Sequence, residues 1–394
     1  MARILITVPP LTGHINPALS VAAELEARGH VVRWAAHAAL TGDLIPDRQK
    51  ILDLPIDTAF MAGLQEKSQK VRGLASVQFL YEDFCLPLAK RTLEPLEKVV
   101  RDFRPELILC DHQMLAGALV ARKLDVPWLS MVTTSASILK LSHVDVVEKW
   151  VVENLHALQI AYEMSADEAI DRPDFSPYGV IVFSSPELVG NQHERFEATY
   201  HFVGPAFSHR PQPIDFPWSR LDPLLPKVLV SLGTVSRDRG LRFYEVLIEA
   251  LAGLPLQVVM VGPESLREQA PENFIIQPRV PQVALLPHLA AVICHAGHNT
   301  VCESLSHGLP LIVAPIRDDQ PVIAQQVVDA GAGLYMRYGK VSVAVARETM
   351  QRLLDEPQFR ANAQRLAESF RRLGGARQAA AVVEQYLVAS AIPH

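Results

Sequence analysis

The sequence is poor in cysteine and has no cysteine motif. It contains four cysteines in 394 residues, and no two of them form a C-x-x-C pair. This usage does not suggest a disulfide framework, and it favours reduced thiols in a cytoplasmic protein. The four positions are Cys85, Cys110, Cys294 and Cys302.

Long apolar runs and charged blocks are also missing. No run reaches the roughly 18 apolar residues of a membrane span, and charged and turn residues interrupt the opening strand, so we expect neither a signal peptide nor a membrane span. Peripheral contact with lipid stays open. The formal net charge is −6 with no basic block, which argues against nucleic acid as a partner. We find no internal repeat and no low-complexity tract.

What is present is the composition of a globular protein, with 49% hydrophobic and 20% charged residues. A chain of 394 residues is long enough for two domains that each bury a core. The first half opens with a βαβ pattern: a strand over Ile4–Val8, a helix with Asn16 as N-cap and Pro17 at its first position, and a strand over Val31–Trp34. Further strands are predicted at Leu107–Cys110 (ending at Asp111), Trp128–Val132 and Gly179–Ser184, the last being the final strand of this half.

Prolines separate this half from a second α/β pattern. Six of them fall between Pro205 and Pro226, where neither a helix nor a central strand can continue. We therefore predict a first domain over residues 1–205, a linker over 206–226, a second domain over 227–375 and a C-terminal helical segment over 376–394. Strands of the second domain are predicted at Lys227–Leu232, Gln257–Val261, Phe274–Ile276, Ala291–Cys294 and Leu311–Ala314, and the tail helix at Arg377–Ser390.

The most informative stretch runs from Val280 to Gln320. A turn from His295 to Thr300 follows a buried strand and opens a helix that should end near Gly308. Free N–H groups and the positive helix end make such a turn an anion site. Glu303 lies four residues after Asn299, on the same helical face, and can accept hydrogen bonds from a sugar. The order suggests a nucleotide sugar, with the diphosphate at the turn, the ribose at Glu303 and a second sugar at Asp319 and Gln320.

Together these motifs resemble the donor-binding signature of the UDP-glycosyltransferase family, and most closely that of bacterial macrolide and natural-product glycosyltransferases. The resemblance covers nearly the whole chain. It implies an α/β fold of two facing Rossmann-like domains (the GT-B architecture), with a C-terminal helix that crosses back to the N-terminal domain. The motifs that carry it are Pro281-Gln282, His295-x-Gly297, Glu303, Gly308-x-Pro310 and Asp319-Gln320.

The resemblance also implies roles for donor-binding residues. His295, the Gly297–Thr300 turn (with Asn299) and the turn Ser231, Gly233, Thr234 would contact the diphosphate, and Val280 would pair its backbone with the base, which Arg279 would cover. Asp319 and Gln320 would hold hydroxyls of the transferred sugar. Other readings remain open: His295 could be a core histidine, and Asp319-Gln320 could only begin a helix. The Gly297–Thr300 segment could be a turn with an N-cap, which is compatible with phosphate binding, and the Ser231–Thr234 turn could be an ordinary strand-to-helix turn. Asp318 adds a second carboxylate, and the sequence leaves open which of the pair faces the sugar.

A candidate base lies in the first half. His14 follows the first strand and Asp111 ends another, and ligands bind at the carboxyl ends of strands in open α/β sheets. An imidazole suits removal of a proton from an acceptor hydroxyl, and a carboxylate can fix its tautomer. The resemblance assigns this catalytic dyad to His14 and Asp111; the alternative is that each caps a helix. His112 is a weaker competitor, whose side chain we expect to point away from that of Asp111.

The expected reaction is an inverting transfer of a hexose, with glucose from UDP-glucose preferred, to a hydroxyl of a lipophilic small molecule such as a macrolide, polyketide or phenol. We expect no metal and no cofactor, since no D-x-D motif ends a strand and the nucleotide sugar is a co-substrate. The acceptor would lie along Phe60–Leu86 and Ile138–Met164. We expect the protein to be a monomer or a homodimer. Three alternatives stay open: use of a dTDP-deoxysugar, a nucleotide-sugar 2-epimerase, and a non-catalytic binding homologue.

Overall fold

The computed structural model describes residues 1–68, 71, 74–139, 145–190, 196–207, 214–233 and 241–390. Its contacts divide the chain into two compact units. Unit 1 comprises Met1–Ser184, Glu194–Pro211 and Leu373–His394, and unit 2 comprises Ser185–His193 and Gln212–Arg372. Ser185–His193 thus groups with unit 2, although it lies within the range predicted for the first domain. Of the predicted linker, residues 208–213 lie outside the described part.

Unit 1 is built on a parallel sheet that has seven strands within its described residues, in the order β3-β2-β1-β4-β5-β6-β7. The strands are β1 (Arg3–Thr7), β2 (Val31–Ala36), β3 (Ile51–Asp53), β4 (Leu107–Asp111), β5 (Trp128–Val132), β6 (Val180–Val182) and β7 (Tyr200–Phe202). Its helices before β6 are α1 (Thr12–Ala27), α2 (Ala38–Thr41), α3 (Thr58–Ser68), α4 (Leu74–Gln78), α5 (Leu86–Phe103), α6 (Leu115–Lys123) and α7 (Asp145–Ala161), with a π-helix at Phe79–Cys85 between α4 and α5.

Unit 2 carries a second parallel sheet, six-stranded in its described part, in the order β10-β9-β8-β11-β12-β13. The strands are β8 (Lys227–Ser231), β9 (Gln257–Val261), β10 (Phe274–Gln277), β11 (Ala291–Cys294), β12 (Leu311–Val313) and β13 (Gly333–Tyr335). The helices that follow α7 are α8 (Pro186–Val189), α9 (Leu241–Leu251), α10 (Gln282–Leu285), α11 (His298–Ser306), α12 (Gln320–Asp329), α13 (Val343–Asp355), α14 (Pro357–Leu373) and α15 (Ala376–Ser390). Two Rossmann-like domains are therefore confirmed.

Two details of the first half differ from the sequence prediction. Helix α1 begins at Thr12, not after Asn16, because the carbonyl of Leu11 already accepts hydrogen bonds from the backbone N–H groups of His14 (2.9 Å) and Ile15 (3.1 Å). Asn16 is buried inside the helix and is not its N-cap. In addition, the predicted strand Gly179–Ser184 is not the last of its sheet, since β7 pairs with β6.

Helix α15 returns the end of the chain to unit 1, as predicted. Its residues Ala379, Ala380, Val382 and Val383 are almost fully buried in the same apolar core as residues of α1. Polar contacts also hold it there. Among them, the N–H of Gly375 donates to the carbonyl of Val203 (2.6 Å), and Arg28 pairs with Glu384 (2.7 Å). Within the described residues, no helix is both long and apolar enough to cross a membrane.

Strand order decides which loops meet in each unit. In unit 1, β1, β4 and β5 are neighbours in one parallel sheet, so the residues that follow them come together at its carboxyl edge. In unit 2 the same holds for β8, β11 and β12. The predicted site residues fall at these two edges.

Candidate active site

His14 and Asp111 form a direct contact at the carboxyl edge of the unit 1 sheet. His14 lies in the first turn of α1, just after β1, and Asp111 is the last residue of β4. The Nδ1 atom of His14 is 2.8 Å from Oδ2 of Asp111, whose side chain is fully buried while that of His14 is 13% exposed. The other carboxylate oxygen accepts the backbone N–H of Gln113 at 2.9 Å. The structure therefore brings together the two residues that the sequence paired.

The carboxyl group of Asp111 is held in its ionised form. Burial alone would raise its pKa, but the imidazoles of His14 and His112 and the hydrogen bond with His14 outweigh burial, and the net pKa is lowered. An ionised carboxylate beside Nδ1 favours the tautomer in which that nitrogen carries the proton. The lone pair of His14 is then on Nε2, where a base must have it.

His112 does not point away from Asp111, and that prediction was wrong. Its ring stacks on His14 with centroids 5.7 Å apart, and its Nδ1 lies 3.6 Å from Oδ1 of Asp111. The alternation of side chains along a strand does not apply here, because β4 ends at Asp111 and the chain turns at the next residue. Nδ1 and Nε2 of His112 contact the carbonyl of Met131 (3.3 Å) and the hydroxyl of Ser137 (2.9 Å). Burial lowers the pKa of His112 and so favours a neutral ring.

Thr133 belongs to the same cluster, and the sequence analysis missed it. The residue follows β5 directly and is 4% exposed, and its Oγ1 lies 2.9 Å from Nδ1 of His14. Its place directly after a strand was a signal that Thr133 lies at this edge of the sheet, although not that it contacts His14. The nitrogen of His14 that faces Asp111 thus has two oxygen neighbours.

The cluster also has the spacing of a metal site. His14, Asp111 and His112 each offer one ligand atom, and these atoms lie within 4.8 Å of one another. Imidazole nitrogens and a carboxylate suit zinc and related ions. An ion bound through Nδ1 would displace the hydrogen bond between His14 and Asp111.

In unit 2, the His295 ring lies between two glycines. The residue follows β11, and Gly233 follows the neighbouring strand β8. A Cβ atom at Gly233 would come within 2.7 Å of the ring, and one at Gly297 within 2.6 Å. Nδ1 of His295 is buried and has no hydrogen-bond partner in the described part of the chain. Burial lowers the pKa of His295, opposed by the charge of Asp319 and a backbone contact with Ser231.

Helix α11 starts beside this ring. Gly297 is its N-cap, and Asn299 and Thr300 lie in its first turn, which contains no acidic residue. Glu303 is 2% exposed and accepts a hydrogen bond of 2.7 Å from the Gln282 side chain. Gln282 belongs to the motif Pro281-Gln282, but no role was predicted for it.

The two neighbouring carboxylates before α12, those of Asp318 and Asp319, have different surroundings. Asp318 has a positive φ of 54° and its carboxylate lies 3.4 Å from Nε of Arg317. Asp319 is the N-cap of α12, and its charge acts on His295. The side-chain oxygen of Gln320 accepts the N–H groups of Ile316 (2.9 Å) and Arg317 (3.1 Å), and no contact of its NH₂ group is seen within the described residues.

The other predicted donor residues are spread along the same unit. Ser231 ends β8 and is 4% exposed, whereas Thr234 lies outside the described residues. Arg279 is exposed. Val280 is buried, and its carbonyl accepts the N–H of Gln282 at 2.8 Å. The turn therefore already uses the backbone carbonyl of the residue predicted to pair with the base.

The two segments predicted to line an acceptor site are largely helical in their described parts. Phe60, Phe79, Tyr81 and Trp150 are partly buried against one core of unit 1. Tyr81 packs edge-on against Trp150 with centroids 6.2 Å apart. Residues 69–70, 72–73 and 140–144 of these segments lie outside the described part.

Comparison with known proteins agrees with this fold. Residues 245–373 match the family model of the erythromycin biosynthesis protein CIII-like C-terminal domain. The chain is 29% identical to the NDP-glycosyltransferase YjiC of Bacillus subtilis (strain 168), over 98% of this chain and 97% of that protein. It is 27% identical to the demethyllactenocin mycarosyltransferase of Streptomyces fradiae, over 98% and 87%. The crystal structure of the kitacinnamycin glycosyltransferase aligns with a TM-score of 0.81 at 22% identity, over 98% of this chain and 99% of that one.

The two parallel-sheet Rossmann-like units define the fold class, GT-B, which the chain shares with the kitacinnamycin glycosyltransferase. Within that class, the chain resembles the bacterial natural-product and NDP-sugar glycosyltransferases, as its motifs predicted.

Proposed function

We propose that the protein transfers a hexose from a nucleotide diphosphate sugar to a hydroxyl group of a lipophilic small molecule, with inversion at the anomeric carbon. The observation that carries the proposal is the contact of 2.8 Å between His14 Nδ1 and Asp111 Oδ2. The contact keeps the ring proton on Nδ1, so that Nε2 carries the lone pair with which His14 can act as a base. His14 and Asp111 are the proposed catalytic residues.

The reaction needs one proton transfer and one displacement. Nε2 of His14 takes the proton of the acceptor hydroxyl while the oxygen attacks the anomeric carbon, and the bond to the diphosphate breaks. The positive charge that forms on the imidazole is stabilised by the ionised carboxylate of Asp111. An α-linked donor gives a β-glycoside, because the acceptor attacks from the face opposite the leaving group.

The proposed diphosphate site is formed by His295 and the start of α11. The N–H groups of the first turn and the helix dipole favour negative charge there. Nδ1 of His295, which is buried and has no partner among the described residues, can donate to an oxygen. Glu303 is proposed to bind the ribose, with Gln282 holding its carboxylate. We propose Asp319 rather than Asp318 for the sugar hydroxyls, because the charge of Asp319 acts on His295 and its carboxylate therefore lies close to the proposed diphosphate site.

The remaining assignments follow the motif. Ser231, Gly233 and Thr234 are proposed to contact the phosphates, and Arg279 and Val280 the base. For the donor we propose UDP-glucose, because the carboxylate of Asp319 and the NH₂ group of Gln320 suit a fully hydroxylated hexose. A dTDP-deoxysugar is the second candidate, favoured by the similarity to an enzyme named as a mycarosyltransferase.

A donor screen tests this proposal. The protein is incubated with UDP-glucose or a dTDP-deoxysugar and a panel of macrolides, polyketides and phenols, and the products are read by mass spectrometry and NMR. The account predicts a β-glycoside and free nucleoside diphosphate. A changed sugar nucleotide formed without any acceptor would point to the 2-epimerase alternative. Tight nucleotide binding with no product from any acceptor would point to a binding homologue.

The proposed reaction uses protein groups, not a metal, to stabilise the leaving diphosphate. Transfer should therefore survive EDTA, with a rate within about twofold of that of the untreated enzyme. Losing even one stabilising contact to the leaving diphosphate would slow transfer by more than that. The rate is compared before and after chelation, and again after added magnesium. A strict requirement for magnesium would contradict the proposed roles of His295 and α11.

A further inference from the structure

We propose that Thr133 is a second positioning residue for His14, whose hydroxyl competes with Asp111 for Nδ1 and thereby controls which ring nitrogen can act as the base. The inference rests on the proposed function of His14. The contact lies within unit 1 and can be examined without donor or acceptor. All three side chains lie at the carboxyl edge of the unit 1 sheet.

The geometry places two oxygens on one nitrogen. Oδ2 of Asp111 is 2.8 Å and Oγ1 of Thr133 is 2.9 Å from Nδ1 of His14. A neutral imidazole has one N–H group and one lone pair. Nδ1 can donate its proton to the carboxylate or accept the proton of the hydroxyl, but it cannot do both.

The two arrangements differ in chemistry. When Nδ1 donates to Asp111, Nε2 has the lone pair and can take a proton from an acceptor. When the hydroxyl of Thr133 donates to Nδ1, the ring proton sits on Nε2, and the ring cannot act as a base there. A hydrogen bond to a charged group is about twice as strong as one between neutral groups, so the ionised Asp111 selects the active tautomer.

The competition becomes visible when Asp111 is removed. In Asp111→Ala, the hydroxyl of Thr133 is the remaining oxygen on Nδ1 and holds the inactive tautomer. The loss of activity then has two parts: the missing charge, and a hydroxyl that works against the base. Substituting Thr133 removes the second part.

A double-mutant cycle with Asp111→Ala, Thr133→Val and the double variant tests this directly. Valine has nearly the shape of threonine but no hydroxyl, which suits a residue that is 4% exposed. We expect the double variant to transfer sugar about three to ten times faster than Asp111→Ala, the worth of one neutral hydrogen bond. Asp111→Ala with Thr133→Ser is the matched control; it keeps the hydroxyl and should gain nothing.

The tautomer can be read without any substrate. ¹⁵N NMR of histidine-labelled protein distinguishes protonated from bare ring nitrogens, and the signals of His14 among the 14 histidines are identified by their loss in His14→Gln. We expect protonated Nδ1 in the wild type, protonated Nε2 in Asp111→Ala, and a shift back towards Nδ1 when Thr133→Val is added. A double variant with the same tautomer as Asp111→Ala would overturn the inference, as would a further loss of activity. If the wild type shows no transfer at all, the proposed function fails, but the NMR comparison still decides the role of Thr133.

Discussion

At the scale of single residues, two glycines fix the His295 ring. Gly233 has a φ of +75° and so adopts a conformation that favours glycine. Gly297 has an ordinary φ of −64°, and any residue could adopt it. What excludes a side chain at Gly297 is the His295 ring, with Nε2 only 2.6 Å from an added Cβ atom. The requirement for glycine at this position is therefore contact with an imidazole, not backbone strain.

Gly297→Ala should weaken nucleotide binding because the added methyl group pushes the His295 ring out of place. One hydrogen bond to a charged group is worth about 1.5–3 kcal/mol, so the dissociation constant of the nucleoside diphosphate should rise by about 10- to 150-fold. Isothermal titration calorimetry measures it. In a His295→Ala background the same substitution should have little further effect, since the ring is gone. Unchanged affinity in the single variant would remove His295 from the diphosphate site.

The residue scale also shows what a sequence can predict of a site. His14 and Asp111 could be paired because each follows a strand, and parallel strands end at one edge of a sheet. The stacking of His112 on His14 and the contact of Thr133 could not be read in the same way. They depend on how the chain turns after β4 and β5, and no periodic pattern encodes the rotation of one ring.

At the scale of elements, Glu97 connects three helices of unit 1. It lies on α5, accepts a hydrogen bond from Tyr162 just after α7 (2.6 Å), and pairs with Arg101 on its own helix and Lys123 at the end of α6 (3.2 Å). The hydrogen bonds from Tyr162 and Arg101 and the charge of Lys123 lower the pKa of Glu97 to about 2, against some opposing desolvation. These contacts stabilise the folded unit only while the carboxylate is ionised.

Glu97→Gln should therefore destabilise the protein in a pH-dependent way. The folded pKa is about 2 and the ordinary value is 4.5, so the contribution is complete above pH 4.5 and declines as the pH falls towards 2. We expect a loss of about 1–2 kcal/mol in the free energy of unfolding at pH 7, measured by urea denaturation, and a smaller difference at pH 3–4. Glu94→Gln, exposed on the same helix, is the control and should change stability by less than about 0.5 kcal/mol. A constant difference across this pH range would contradict the account.

Elements with continuous apolar runs were predicted well, and short ones were not. Strands β5, β9 and β11 have the predicted bounds, and all their residues are buried. Strands β3, β7 and β13 have three residues each and are largely only partly buried, so they lack the apolar signal on which prediction depends. The start of α1 was misplaced because Asn16 and Pro17 resemble a helix start, while the backbone had already turned at Leu11.

At the scale of the whole molecule, unit 1 uses both ends of the chain. Residues that follow unit 2 in sequence complete a core that begins with β1 and α1. Val383 on α15 is fully buried in that core. The return of the chain to unit 1 was predicted from the family resemblance; the apolar composition of α15 alone would have fitted either unit.

Val383→Asp should destabilise unit 1 even though it lies close to the end of the chain. A buried carboxylate without a partner costs about 3 kcal/mol or more, so thermal unfolding followed by circular dichroism should begin at a clearly lower temperature. Gln385→Asp, exposed on the same helix, is the matched control and should unfold like the wild type. Equal unfolding of both variants would show that α15 contributes little to the core of unit 1.

The most direct measurement of the central claim is the turnover of His14→Ala with an identified donor and acceptor, together with its affinity for the nucleoside diphosphate. Loss of a positioned base predicts a decrease in kcat of about 10²- to 10⁴-fold with nucleotide affinity near that of the wild type. His30→Ala is the control: His30 follows the other end of α1, pairs with Glu384 at 3.2 Å, and should retain transfer. Undiminished turnover in His14→Ala would contradict the account.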